Sequence, residues 1–353
     1  MKNKLIFLGV AIAIVCVGVF VNRDSSHEVI KIGVVAPLTG PGSAFGNSLV
    51  KAIELAQRDL GGTKYRYEVV IEDDATNPAT SASAAQKMIQ IDGVKAIISA
   101  TSGSGNAIAP IAEASKVPLI CIACADKRIG TGKYSYTSSV QVEDEAKVFV
   151  DHAVKNGAKT VGVLSQNHPG INAVADAVKA EAISRNIPVV YEERFDGNNR
   201  DFKTIIKKAA AANADIYFLQ AFPPALDIVG KELAALGVKN VAGGAGAFTI
   251  AAEPTLFEGK WYTEALADAD FTERFSKEFP DVRFNIRTGP YGYDAFNMLV
   301  QGLDKDADMA AYLAGIDTFD GKVGQYKTDG NWFRSTPGVW MVKDGKFVVI
   351  SQD

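Results

Sequence analysis

Three groups of residues have the types and spacing that chemistry requires. Cys121-Ile122-Ala123-Cys124 sets two thiols at the separation used by dithiol redox centres and zinc sites. Zinc needs further Cys or His ligands, and the three histidines, His27, His152 and His168, form no metal-like cluster. A redox dithiol opens a helix after a strand, whereas the surrounding VPLICIA reads as the strand itself, with successive side chains on opposite faces. The expectation is two small buried thiols. The second group, Gly40-Pro41-Gly42-Ser43-Ala44-Phe45-Gly46, resembles a dinucleotide loop but has three residues, not two, before its last glycine, and no acidic residue follows where a ribose would be held. The third, Thr101-Ser102-Gly103-Ser104-Gly105-Asn106, gathers hydroxyls and glycines at a helix opening, where they serve either as an N-cap or as a cradle for an anion. No His or Lys stands with a Ser or Cys in a nucleophile-and-base arrangement. The chain therefore reads as a non-enzyme without cofactor or metal.

These groups fall where strands give way to helices. IKIGVV (30–35), the alternating residues of 65–71, VKAIISA (94–100) and VPLICIA (117–123) predict a first set of strands. Between the first two, Leu49, Ile53, Ala56 and Leu60 fall on one helical face. TVGVLS (160–165), PVVYEERF (188–195), DIYFLQA (215–221) and VAGGAG (241–246) predict a second set, with helices near 171–185, 200–212 and 224–236. Such alternation predicts parallel sheets covered on both faces, whose binding sites lie beyond the carboxyl ends of the strands. VWMV and FVVI, joined by Lys343-Asp344-Gly345-Lys346, predict a closing hairpin.

At 353 residues the chain is too long for one ordinary core, so two lobes are expected. Its net charge of −4, without a basic block, gives no reason to expect nucleic acid as a partner. Lys2 and Lys4 precede an apolar run over residues 5–21, so residues 1–27 read as a signal peptide or an N-terminal membrane anchor that leaves the rest of the chain outside the cytoplasm. Cys16 lies inside that run after Val15, which does not suit a lipoprotein signal.

IKIGVVAPLTGPGSAFG, VVIEDDATNPATSASAAQKMI, TSGSGNAIAPIAEASKVPLI, DFKTIIKKAAAANADIYFLQA and YGYDAFNMLVQGL, in this order, resemble the branched-chain amino-acid-binding (Leu/Ile/Val-binding) family of type I periplasmic solute-binding proteins. The resemblance implies an α/β fold of two Rossmann-like lobes joined by three hinge crossovers, near 138–142, 263–267 and 324–329, which close on a ligand like a flytrap. One lobe would comprise 28–139 with 266–325, the other 140–265 with 326–353. It implies a monomer that delivers an amino acid or related carboxylate to an ABC permease, with a sensory receptor domain as the alternative. The ligand carboxylate would be held by Ser102 and by Ala123, Cys124 and Ala125, and Phe45, Phe222 and Phe248 would make the cleft apolar. Asp73 and Asp74 would serve the fold. Three departures stand out: Ala125 lacks the family's usual hydroxyl, Asn167-His168-Pro169-Gly170 lacks the usual aromatic before glycine, and residues 243–248 offer no carboxylate to a ligand ammonium, leaving Asp126 as the substitute.

Overall fold

The computed structural model describes residues 28–351, so the signal or anchor expected over 1–27, with Cys16 and His27, lies outside the described residues. The first strands and helices alternate as β1 (Val29–Ala36), α1 (Ser43–Asp59), β2 (Arg66–Asp73), α2 (Pro78–Lys87), β3 (Ala96–Ala100), α3 (Ser102–Ser115), β4 (Leu119–Ile122) and β5 (Ser135–Val140). The chain continues through α4 (Val142–Lys155), β6 (Val161–Gln166), α5 (Pro169–Ser184), β7 (Val189–Phe195), α6 (Lys203–Ala212), β8 (Ile216–Gln220), α7 (Ala225–Ala235) and β9 (Val241–Ala242). It ends with β10 (Trp261–Ala265), α8 (Ala269–Glu278), α9 (Gly289–Asp304), α10 (Met309–Ala314), β11 (Thr318–Gly321), β12 (Gly324–Asp329), β13 (Trp332–Ser335), β14 (Pro337–Lys343) and β15 (Lys346–Ser351).

Two sheets carry the lobes. The larger runs β11-β12-β13-β5-β4-β3-β1-β2 and the smaller β7-β6-β8-β9, with a three-stranded sheet β10-β14-β15 beside the latter. All pairs from β13 through β2 are parallel, as are those of the smaller sheet; helices make the crossovers from β1 to β4 and from β6 to β9, while β4 reaches β5 through a loop with a single 3-10 turn. Buried on both faces, β3 and β4 read as apolar runs interrupted only by the buried Ser99. Leu49, Ile53 and Ala56 of α1 are buried with Met298 and Leu299 of α9 in the larger sheet's core. The predicted hairpin is β14–β15; Asp344 and Gly345 both have positive φ, as a tight hairpin turn demands.

Two expectations are corrected. VAGGAG extends only through Val241 and Ala242, since the glycines turn away at once toward the cleft. The third crossover expected at 324–329 falls instead at Thr336. β12 pairs with β13, and β13 pairs in parallel with β5 from Trp332↔Thr137 to Ser335↔Val140, so residues 326–335 stay with the larger sheet. The chain leaves that sheet only when Pro337 pairs with Ala265. The other passages run from β5 into α4 and from β10 into α8, the latter beside the third, where Leu266 N–H donates to Thr336 O at 3.4 Å.

Gly46 lets α1 start hard against the end of β1: a Cβ there would lie 2.1 Å from the Pro37 carbonyl oxygen, a backbone atom that cannot swing aside. That contact sets Phe45 over the space between the lobes. Gly46→Ala is expected to lower unfolding stability by about 1–3 kcal/mol, the usual effect of overpacking, read by urea denaturation. An unchanged midpoint would show that α1 does not depend on this close approach.

Candidate functional site

A narrow cavity lies between the lobes, at the carboxyl ends of the strands of both sheets. Phe45, Thr101, Ser102, Ala123, Ala125 and Arg287 line it from the larger-sheet side, and His168, Ile171, Gln220, Phe222, Ala247 and Ile250 from the other. About 40 Å³ is open to the centre of a water-sized occupant, about three times what one water needs. Phe45 meets Phe222 edge to face at 5.9 Å, and a Cβ on Gly170 would lie 2.7 Å from Ser102 Oγ, so the two walls are nearly in contact.

Ser102 begins α3 directly after β3. Its Oγ accepts from Ala125 N–H at 2.9 Å and Asp126 N–H at 3.3 Å. Two amides thus fix the oxygen and leave its proton free to be donated into the cavity. Thr101, the N-cap, has φ +74, and Ala123 has φ +55, conformations that L-residues adopt at a cost of roughly 1–3 kcal/mol each. Both line the cavity, and such strain concentrates where binding requires it.

Five of the seven expected site residues line this space: Phe45, Ser102, Ala123, Ala125 and Phe222. Cys124 and Phe248 do not. Cys124 is joined to Cys121 in a disulfide, with Cα atoms 5.7 Å apart, which replaces the expected pair of free thiols. The cause lies in local geometry: β4 ends at Ile122, and the positive φ of Ala123 folds Cys124 back toward the sulfur of Cys121. Phe248 is fully buried, stacked on Phe257 with centroids 4.2 Å apart, because a 3-10 turn over Ala247–Ile250 directs it into the smaller lobe's core. Asp126 turns away too. Burial pushes its carboxyl up, but bonds from Arg128 and Asn106 outweigh that and hold it at about 2. Asp73 and Asp74 bind loop amides and hydroxyls after β1 and β2, in keeping with a structural role.

Sequence reasoning missed Arg287. It is only 3% exposed, yet it lines the cavity. Its Nη1 donates to Glu264 Oε2 at 2.9 Å, and Nη2 lies 3.9 Å from Glu145 Oε2. Against the opposing cost of burial, these carboxylates hold the guanidinium above its usual range. Glu145 is pushed upward by its own burial, Arg287 opposing and Glu264 reinforcing the shift. The loop that carries Arg287 is pinned on three sides. Asn285 N–H donates to Ser48 Oγ, Asn285 Nδ2 to Thr249 Oγ1, and Thr288 Oγ1 to Phe45 O, each at 2.9 Å. No signal within FNIRTGP marks this arginine, because its partners lie 23 positions earlier on β10 and far earlier on α4.

His168 stands where the usual aromatic was missing and packs edge-on to Phe222 at 5.2 Å. Burial alone pushes its imidazole down to about 4, and Nδ1 has no partner. Gln220, at the end of β8, likewise brings an unpartnered Oε1 to the cavity wall. Among the described residues no cluster of three or more metal-ligating side chains exists, and no helix is long and apolar enough to cross a membrane.

Residues 29–343 match the periplasmic binding protein family. Leu/Ile/Val-binding protein homolog 3 of Brucella melitensis is 26% identical over 232 residues, an alignment covering 63% of each chain and thus under two thirds of that relative's length. The crystal structure of a leucine-binding protein from Thermotoga maritima is similar with a TM-score of 0.83 at 23% identity, covering 91% of this chain and 98% of the other. A solute-binding protein of an ABC transporter from Rhodopseudomonas palustris BisB5, in complex with 3,4-dihydroxybenzoic acid, has a TM-score of 0.80 at 22% identity, covering 92% and 96%. Both share the two-lobed type I fold.

The neutral His168 yields a pH prediction. A folded-state value near 4, below the unfolded 6.5, means that the unfolded chain takes up the proton first, so stability is lost as pH falls below about 6.5. Between pH 6.5 and 4.5 this amounts to about 2 kcal/mol. His168→Phe, which keeps the ring against Phe222, is expected to remove that share of the acid sensitivity in denaturant titrations at the two pH values. Equal losses in both proteins would mean that His168 is protonated in the folded state.

Proposed function

We propose that this chain, which belongs to the periplasmic binding protein family, is the extracytoplasmic solute-binding component of an ABC uptake system and holds a small organic carboxylate between its lobes. Family members of this fold are solute-binding proteins, not enzymes, and act outside the cytoplasm. The observation that carries the reading is the cavity itself, in which the Ser102 hydroxyl and the N-terminus of α3 face Phe222 of the opposite lobe across a narrow apolar space. A carboxylate is suited to that pole because it accepts from the Ser102 hydroxyl and is favoured by the partial positive charge of free helix N–H groups. Phe45, Phe222 and Ile250 suit an aliphatic or flat body. The names of the relatives support this breadth: one is a Leu/Ile/Val-binding protein, and another was crystallised with 3,4-dihydroxybenzoic acid. Their ligands differ in body and share a carboxylate.

Binding couples to movement through the same residues. In the closed form the ligand touches both lobes, so its affinity for closed over open sets how far the population shifts, and a permease would read the closed form. A cleaved signal or a retained anchor would each keep the clamp at the membrane's outer side.

The test is a thermal-shift panel of amino acids, oxo acids and aromatic acids, followed by Ser102→Ala with the tightest of them. A ligand that binds only the folded state raises the melting temperature. Loss of a hydrogen bond to a charged group is expected to weaken binding by roughly 1.5–3 kcal/mol, about 10- to 150-fold. The empty variant should also lose about 1–3 kcal/mol of stability, because the Ala125 and Asp126 amides lose their acceptor. Unaltered affinity in Ser102→Ala would displace the carboxylate from this pole.

A further inference from the structure

We infer that Arg287 is a ligand-contacting residue that sets specificity: its guanidinium takes a hydrogen-bond acceptor of the bound molecule, so the site selects organic acids with a second acceptor and rejects α-amino acids. The inference rests on the carboxylate-clamp reading above and names the ligand class of that same cavity.

A guanidinium carries five N–H groups and accepts nothing. The Arg287 guanidinium makes one hydrogen bond, from Nη1 to Glu264 Oε2, and at 3.9 Å Glu145 is an ion-pair neighbour and not a hydrogen-bond acceptor. The remaining N–H groups have no acceptor among the described residues, in a side chain that is almost wholly buried and lines the cavity. Arg287 lines the cavity, and the cavity is the place from which an acceptor for these N–H groups can come.

The two carboxylates stand behind the arginine, not beside the ligand. Glu145 and Glu264 are fully buried and neither lines the cavity, while Arg287 does. Glu145 Oε1 is taken up by Thr263 Oγ1 at 3.0 Å and by the Ala245 amide. A Cβ on Gly246 would lie 2.6 Å from Glu264 Oε2, so backbone closes over that carboxylate. The bound molecule therefore meets a cation and no anion on this wall. An α-ammonium would bring a second positive charge to it and could accept nothing from it; a carbonyl, hydroxyl or carboxylate oxygen would satisfy it.

Three probes with one isobutyl body separate the possibilities: leucine, 4-methyl-2-oxopentanoate and 4-methylpentanoate, titrated into the purified full-length protein by calorimetry. The 2-oxo acid is expected to bind at least about tenfold more tightly than either of the others. Arg287→Met combined with Glu264→Gln, which removes both charges of the pair together, should shrink that preference to within about threefold. Should the double variant not fold, Arg287→Lys, which keeps the charge and loses the planar fork, should reduce the preference in the same direction. Leucine binding most tightly to the unaltered protein would overturn the assignment while leaving the clamp intact. So would a preference that survives in the variants. Binding of none of the three, together with a silent thermal-shift panel, would overturn the carboxylate reading and the assignment with it.

Discussion

A single buried cation at the seam of the two lobes constrains much of what surrounds it. Arg287 comes from the loop before α9, which packs on the larger sheet, and its hydrogen-bonded partner Glu264 lies on β10, one of the strands that pass between lobes. Charges out of water are retained only when paired and well placed, and removing one partner of such a pair costs about 3–5 kcal/mol. The surroundings meet that demand. Asn285 and Thr288 fix the loop to α1 and to the smaller lobe, and Thr263 and the Ala245 amide hold Glu145. Tyr291 packs nearby and hydrogen-bonds Ser335, at the point where the third passage leaves the larger sheet. The hinge and the binding wall therefore share one electrostatic cluster.

The rest of the larger-sheet wall is organised by backbone. Ser102, the Ala125 and Asp126 amides and the unusual dihedrals of Thr101 and Ala123 form a unit at the ends of β3 and β4. The Cys121–Cys124 disulfide closes its far side. Small residues are needed here because Gly105 and Gly170 approach Cys121 and Ser102 more closely than any Cβ allows.

Much of this was legible in the sequence. Parallel strands buried on both faces read as apolar runs, so β1, β3, β4, β6 and β8 were visible within a residue or two, and the Asp344-Gly345 turn announced its hairpin. Phe45, Ser102 and Phe222, expected from the family resemblance, all line the cavity. β11, β12 and β13 were not visible: TFDG and GQYKTD are polar and half exposed, and only their pairing defines them. That is why the third passage was misplaced. Phe248 misled because an apolar residue after a strand can turn either way, and Arg287 was hidden because a buried ion pair depends on residues that are distant in sequence.

The central claim, that the interlobe cavity holds a carboxylate, is tested most directly by a crystal structure of the protein with the tightest ligand found. The account predicts a carboxylate oxygen within hydrogen-bonding distance of Ser102 Oγ, the ligand body between Phe45 and Phe222, and a second acceptor facing Arg287. A ligand seated outside this cavity, or one whose ammonium faces Arg287, would contradict it.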